Sequence, residues 1–138
     1  MTTKAAGAAC PCGRLDARGK PLVLAQCCGR YLGGGEDAPD AVSLMRSRYT
    51  AYVLGDEAYL LASWHPGTRP VEVKSEPGVK WLGLEVRDRR VVDANHAEVE
   101  FVARYRPSTG SGQAVRLHER SRFVREEGRW YYVDGDVR

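Results

Sequence analysis

Apolar positions change their spacing once along the chain, near residue 71. Before that point Val42, Leu44, Met45, Tyr49, Tyr52 and Val53 recur at roughly helical intervals, the spacing that gathers side chains on a helix face. Asp40 suits the N-cap, where a carboxylate accepts hydrogen bonds from first-turn amides, and Gly55 suits the residue after the last turn. The pattern predicts a helix from Ala41 to Leu54. A second, shorter helix is predicted from Asp56 to about Trp64, stopped by His65-Pro66-Gly67. From Val71 onward the period is two, and Val, Tyr, Trp and Phe are frequent, which predicts strands near 71–75, 80–91, 95–106, 113–126 and 129–134. Residues 107–112 read as a hairpin connection and Glu126 to Arg129 as a tighter one. Helices first and a meander of strands afterwards give an α+β class, with helices packed on one face of a curved antiparallel sheet.

Ahead of this pattern, residues 1–9 read as a flexible tail. Residues 10–35 are loop-rich and end in Gly33-Gly34-Gly35, which reads as a glycine hinge. The main domain is then expected over residues 36–138. A chain of 138 residues is one domain's worth and buries enough surface to fold without staples. No apolar run approaches the ~18 residues that cross a bilayer, and the first residues lack the apolar core of a secretory signal. The expected location is the cytoplasm, a reducing compartment that favours metal thiolates over disulfides.

All four cysteines, Cys10, Cys12, Cys27 and Cys28, lie within a short N-terminal stretch. Two close pairs separated by a loop are the arrangement that offers four thiolates to one tetrahedral metal ion. Zn²⁺ is the expected cofactor, although an iron–sulfur cluster also takes four thiolates. A redox dithiol more often has a Cys-x-x-Cys spacing, and neighbouring Cys27 and Cys28 are poorly placed to bridge each other. With every ligand supplied by protein, such a site is structural or a docking surface and has no open position for catalysis. The formal net charge of +3 falls by four with four thiolates and rises by two with the zinc ion, to +1. That near-neutral balance makes nucleic acid an improbable partner.

Cys10-Pro-Cys-Gly13 with Cys27-Cys28-Gly29 resembles the SEC-C motif, the zinc knuckle of the C-terminal tail of the SecA translocation ATPase. Ala38-Pro39, Leu44-Met-Arg-Ser-Arg-Tyr49, Trp64-His-Pro66 and Arg129-Trp-Tyr-Tyr-Val-Asp-Gly135 together are similar to the YchJ family of bacterial proteins. The resemblance implies a SEC-C knuckle followed by a domain like nuclear transport factor 2, a cone of helices around a bent sheet. The interval between the cysteine pairs is longer than is usual in that family, so residues 16–21 read as an insertion in the metal loop.

Domains of that shape often enclose a conical cavity. Alternation along 113–125 puts Val115, Leu117, Glu119, Ser121 and Phe123 on one face of a strand and Arg116, His118, Arg120 and Arg122 on the other. A carboxylate on the apolar stripe needs a partner, which makes Glu119 the first candidate for a pocket acid. The alternative is an ion pair with Arg46 or Arg48 from the helix. Tyr49 and His65 complete the pocket candidates, with helix-end capping as the plainer role for His65. The basic stripe faces Glu98 and Glu100 on the preceding strand, which suits cross-strand ion pairs better than phosphate binding. No catalytic constellation follows from the spacing. Three functions are expected from these readings. The first is a non-enzymatic adaptor whose knuckle docks to protein or ribosomal partners. The second is a protein binding or transforming a small molecule in the cone, and the third is a metal or redox stress factor.

Overall fold

A computed structural model describes residues 7–33, 35–108 and 112–138. The elements run α1 (Gly29–Leu32), α2 (Ala41–Leu54), α3 (Glu57–Ala62), β1 (Lys80–Asp93), β2 (His96–Arg106), β3 (Val115–Glu126) and β4 (Arg129–Val137). The four strands form one antiparallel sheet in the order β1-β2-β3-β4, bent by bulges in β1 and between β3 and β4. With the helices on its concave side this is the expected α+β cone. The β3–β4 turn places Glu127 at φ 52° and Gly128 at φ 79°, the left-handed pair that a two-residue hairpin with right-twisted strands demands.

The strand expected at 71–75 does not form. Val71 is 98% exposed, and the amide and hydroxyl of Ser75 both donate to Glu57 Oε2, at 2.7 and 3.0 Å. The segment is therefore tied to α3, and Val71 has no sheet face to bury. Residues 109–111 of the expected hairpin connection lie outside the described residues.

Both longer helices start as their sequences dictate. Asp40 accepts from the Ser43 amide at 2.7 Å, and Asp56 accepts from the Tyr59 amide at 3.0 Å. What the alternation did not foretell is that α2 is buried nearly all round. Ala41 to Met45 and Ser47 to Ala51 are all inaccessible, whereas a helix on a protein surface buries one stripe. Met45 and Tyr49 join Val99, Phe101, Ala103 and Phe123 of the sheet, while Cys10, Cys12, Leu24, Cys27, Cys28 and Tyr31 belong to the same core. The helix is sandwiched between the sheet and the cysteine loop.

That packing corrects the expected hinge. Arg14 Nη1 donates to Ser43 Oγ at 2.9 Å, Arg46 Nη1 to the Cys12 carbonyl at 2.8 Å, and Cys10 Sγ lies 3.6 Å from Thr50 Oγ1. The cysteine segment is one layer of a shared core, because the helix surface beneath it has no other cover. The tail is also shorter than expected. The Leu24 amide donates to the Ala8 carbonyl at 2.8 Å, and Ala9 bridges Val23. Residues 1–6 of the tail and Gly34 of the glycine run lie outside the described residues.

The convex face of the sheet carries the paired charges expected there. Arg120 reaches Glu98, Glu100 and Asp88 at 2.7 to 3.0 Å, His118 Nε2 meets Glu100 at 2.7 Å, and Arg122 spans Asp134 and Asp136. His118, then Arg120, hold the Glu100 carboxyl below its ordinary range. These cross-strand pairs, part-buried around Arg120 and exposed around Arg122, favour the register that brings opposite charges together, and the exposed ones add little to stability. Replacing Asp40 by Ala should lower the unfolding free energy by about 1 kcal/mol. The expected result is a lower urea midpoint with an unchanged dependence on denaturant.

Candidate functional site

Two sites converge on α2, one on each side. On the first, the chain between the cysteine pairs closes into a small hairpin. Leu15 bridges Pro21, and Asp16 Oδ1 accepts from the Arg18 and Lys20 amides at 2.8 and 3.0 Å. The segment thus closes on itself and leaves the four cysteines free to come together. Cys27 and Cys28 follow a 3₁₀ turn, Leu24–Gln26, and lead into α1. Gly29 is required at this crossing, since a Cβ there would lie 2.6 Å from the Leu24 carbonyl oxygen.

The four Sγ atoms lie within 4.8 Å of one another, and Cys12 and Cys27 are 3.7 Å apart. Sulfurs about 2.3 Å from a tetrahedral metal ion are separated by about 3.8 Å. No cysteine is more than 4% exposed, and all four are free thiols. The titration behaviour points the same way. Burial, followed by the charges of Cys12 and Cys10, pushes the Cys27 thiol up to about 12. Hydrogen bonding to Cys10 and Cys12 raises Cys28, while hydrogen bonds from Cys12 and Cys28 lower Cys10. Left to themselves the sulfurs share one another's protons, and a divalent cation is what allows all four to ionise in so dry a place. The donor set and its spacing fit a metal held in a closed shell of four thiolates. Thr50, Arg14 and Arg46 brace that shell from outside. Arg46, expected at the cone cavity, is corrected to this side of the helix.

On the opposite side a cavity of about 580 Å³ lies between α2, the concave face of the sheet and the segment 74–79. As alternation requires, Leu117, Glu119, Ser121 and Phe123 point into it from β3. Glu119 Oε2 accepts from Ser121 Oγ at 2.6 Å and from the Tyr132 hydroxyl at 3.1 Å. Its carboxylate rests where a side chain on Gly135 would stand, since a Cβ there would come 2.7 Å from Glu119 Cδ. The Tyr132 phenol is pushed upward by burial and by the Glu119 charge, so it stays a hydrogen-bond donor at physiological pH.

The expected ion pair between Glu119 and a helix arginine is not formed. Arg48 is 6% exposed, and its Nη1 donates to the Leu60 carbonyl at 2.8 Å and to Ser63 Oγ at 2.7 Å. Its guanidinium lies 4.9 Å from the Trp64 ring centroid and 4.5 Å from that of Tyr132. Two aromatic faces and two neutral acceptors thus hold the cation, although burial lowers its pKa from the ordinary arginine value. Tyr49 does line the cavity, edge-on to Trp81 with centroids 5.6 Å apart. His65 does not. Its Nδ1 accepts from the Gly67 amide at 3.0 Å, and Nε2 pairs with Glu126 at 3.0 Å, which closes the loop after α3. Tyr132, Ser121 and Gly135 were not singled out from the sequence. Ser121 shares the stripe of Glu119, but the reach of Tyr132 depends on the β4 bulge, which leaves no mark in the alternation.

Comparison with known proteins agrees with this architecture. The family model for the middle, NTF2-like domain of YchJ matches residues 40–135. A UPF0225 protein of Polaromonas is 68% identical over 134 residues, which cover 96% of this chain and 95% of the relative. The solution structure of a SEC-C motif containing protein from Rhodopseudomonas palustris superposes with a TM-score of 0.78 at 32% identity, covering 94% of this chain and 98% of that one. The crystal structure of a SEC-C motif containing protein from Psychrobacter arcticus gives 0.79 at 29% identity, covering 98% and 85%.

Arg48→Met should remove the guanidinium and leave the Leu60 carbonyl and the Ser63 hydroxyl short of a donor. A loss of about 2 kcal/mol is expected, read as a lower urea midpoint. An unchanged midpoint would mean that the stacked cation contributes nothing to the core.

Proposed function

The chain belongs to the YchJ family, and on that premise we propose that it is a zinc-braced binding protein whose cone cavity takes a small molecule. The observation that carries this reading is Glu119. A carboxylate set in an aromatic cavity, hydrogen-bonded only to neutral hydroxyls among the described residues, retains an unsatisfied preference for a partner. Cavities of a few hundred Å³ with few polar groups are where small ligands bind.

Zinc is the metal we assign to the cluster, because a closed shell of four thiolates suits a soft ion without redox demands. Its role in this reading is to hold the cysteine layer on α2. The docking reading, with protein or ribosomal partners held by the knuckle, has less support. The sulfurs are sealed and one side of the loop is spent on the helix. Sealed thiolates are likewise poor sensors of oxidant. Free buried thiols fit a reducing compartment, so we place the protein in the cytoplasm. No helix among the described residues is long and apolar enough to cross a membrane.

Metal analysis of the purified chain should find one zinc per molecule, and Cys27→Ser should lose most of it. Iron in its place would refute the zinc assignment. A neutral naphthalene dye should bind at one site and quench tryptophan fluorescence. Leu117→Trp, which fills the cavity from β3, should abolish that binding while far-ultraviolet dichroism is retained. Dye binding unaffected by the filled cavity would place the site elsewhere.

A further inference from the structure

Resting on the cone being a binding site, we propose that its ligand is an organic cation, an ammonium group carried on a flat apolar body. Of the four charged residues lining the cavity, Lys74 and Glu76 are exposed, and Lys74 pairs with Glu72; the other two, Arg48 and Glu119, are unequally available. Arg48 is 6% exposed, lies against the Trp64 and Tyr132 rings and donates through Nη1 to two acceptors, so it presents less of its charge to a ligand than the half-buried Glu119. Glu119 is free to act. Both of its hydrogen bonds arrive at Oε2. Oε1 receives none from the described residues and is not among the sealed polar atoms. Ser121 and Tyr132 donate without neutralising the carboxylate, and they fix its direction. Gly135 gives it the room to lie flat against β4.

The walls suit the same ligand. Trp81 stands at the centre of an aromatic cluster, 5.6 Å from Tyr49, 5.8 Å from Tyr52 and 5.1 Å from Tyr105 between ring centroids. The last two pairs are tilted at 44° and 46°, so the rings do not cover one another completely. Aromatic faces attract a cation through their quadrupole and stack on a flat apolar group. The Glu119 carboxylate and these rings line one cavity, which is thus complementary to an ammonium head on an aromatic or alicyclic body. A charge-assisted hydrogen bond to Glu119 should be the largest single polar contribution.

The test uses the full, zinc-loaded chain and three probes of one shape, tryptamine, 3-methylindole and indole-3-propionate, titrated calorimetrically. Tryptamine should bind at least about tenfold more tightly than either of the others, the gain of one charge-assisted contact. Glu119→Gln should erase that preference and leave 3-methylindole unchanged. The order of the three probes on the unaltered chain already decides the matter, so the outcome does not depend on the variant folding. Equal affinities for tryptamine and 3-methylindole would overturn the ammonium and leave the cavity as a neutral site. Tightest binding of the propionate would make Arg48 the anchor and overturn it too. If no probe binds and the dye is also unaffected by Leu117→Trp, the binding reading itself has failed.

Discussion

Helix α2 is covered on two opposite sides, and everything of functional interest in the molecule hangs on that arrangement. A residue advances about 100° around a helix axis, so Arg46 and Arg48, two positions apart, point in nearly opposite directions. Ser43, Arg46 and Thr50 lie at intervals of three and four and meet the cysteine loop. Met45, Arg48, Tyr49 and Tyr52 follow the same spacing on the far side and line the cavity. A helix so enclosed cannot rely on water to satisfy its polar side chains. Ser43, Ser47, Arg48 and Thr50 accordingly all have partners within the protein.

Metal and cavity are therefore mechanically linked. The cysteine layer is small and carries little hydrophobic surface of its own. Such layers gain most of their order from metal–thiolate bonds, and a metal bound there would hold the wall shared with the cavity from behind. The cavity in turn owes its chemistry to the separation of two charges. Arg48 is held by ring faces and by neutral oxygens on Nη1, which leaves Glu119 with hydroxyl donors and an open oxygen. Had the two paired directly, the cavity would be a neutral structural core with nothing to offer a ligand.

Much of this was legible in the chain. Asp40, Gly55 and Asp56 mark helix ends by local hydrogen bonding, which is decided within a few residues and so can be read from a few residues. The alternation through Leu117, Glu119, Ser121 and Phe123 marks the cavity face of β3, and the cysteine spacing marks the four side chains whose sulfurs come together. The errors share a cause. Whether 71–75 becomes a strand depends on a neighbouring strand being free, and Glu57 captures Ser75 instead. Whether Gly33–Gly35 separates two modules depends on what covers the back of α2. Arg46 lies opposite the cavity it is expected to line, because one charged residue on a helix does not reveal which of two faces is buried against what. Each is a question of tertiary partners, which periodicity does not encode.

Hydrogen–deuterium exchange with and without a chelator shows whether the metal-binding layer braces the helix that forms the cavity wall. If the layers share one core, removing the metal deprotects the amides of α2 together with those of residues 8–33. If the amides of residues 8–33 exchange freely while α2 stays as protected as before, the cysteine loop is an independent appendage and the account is wrong.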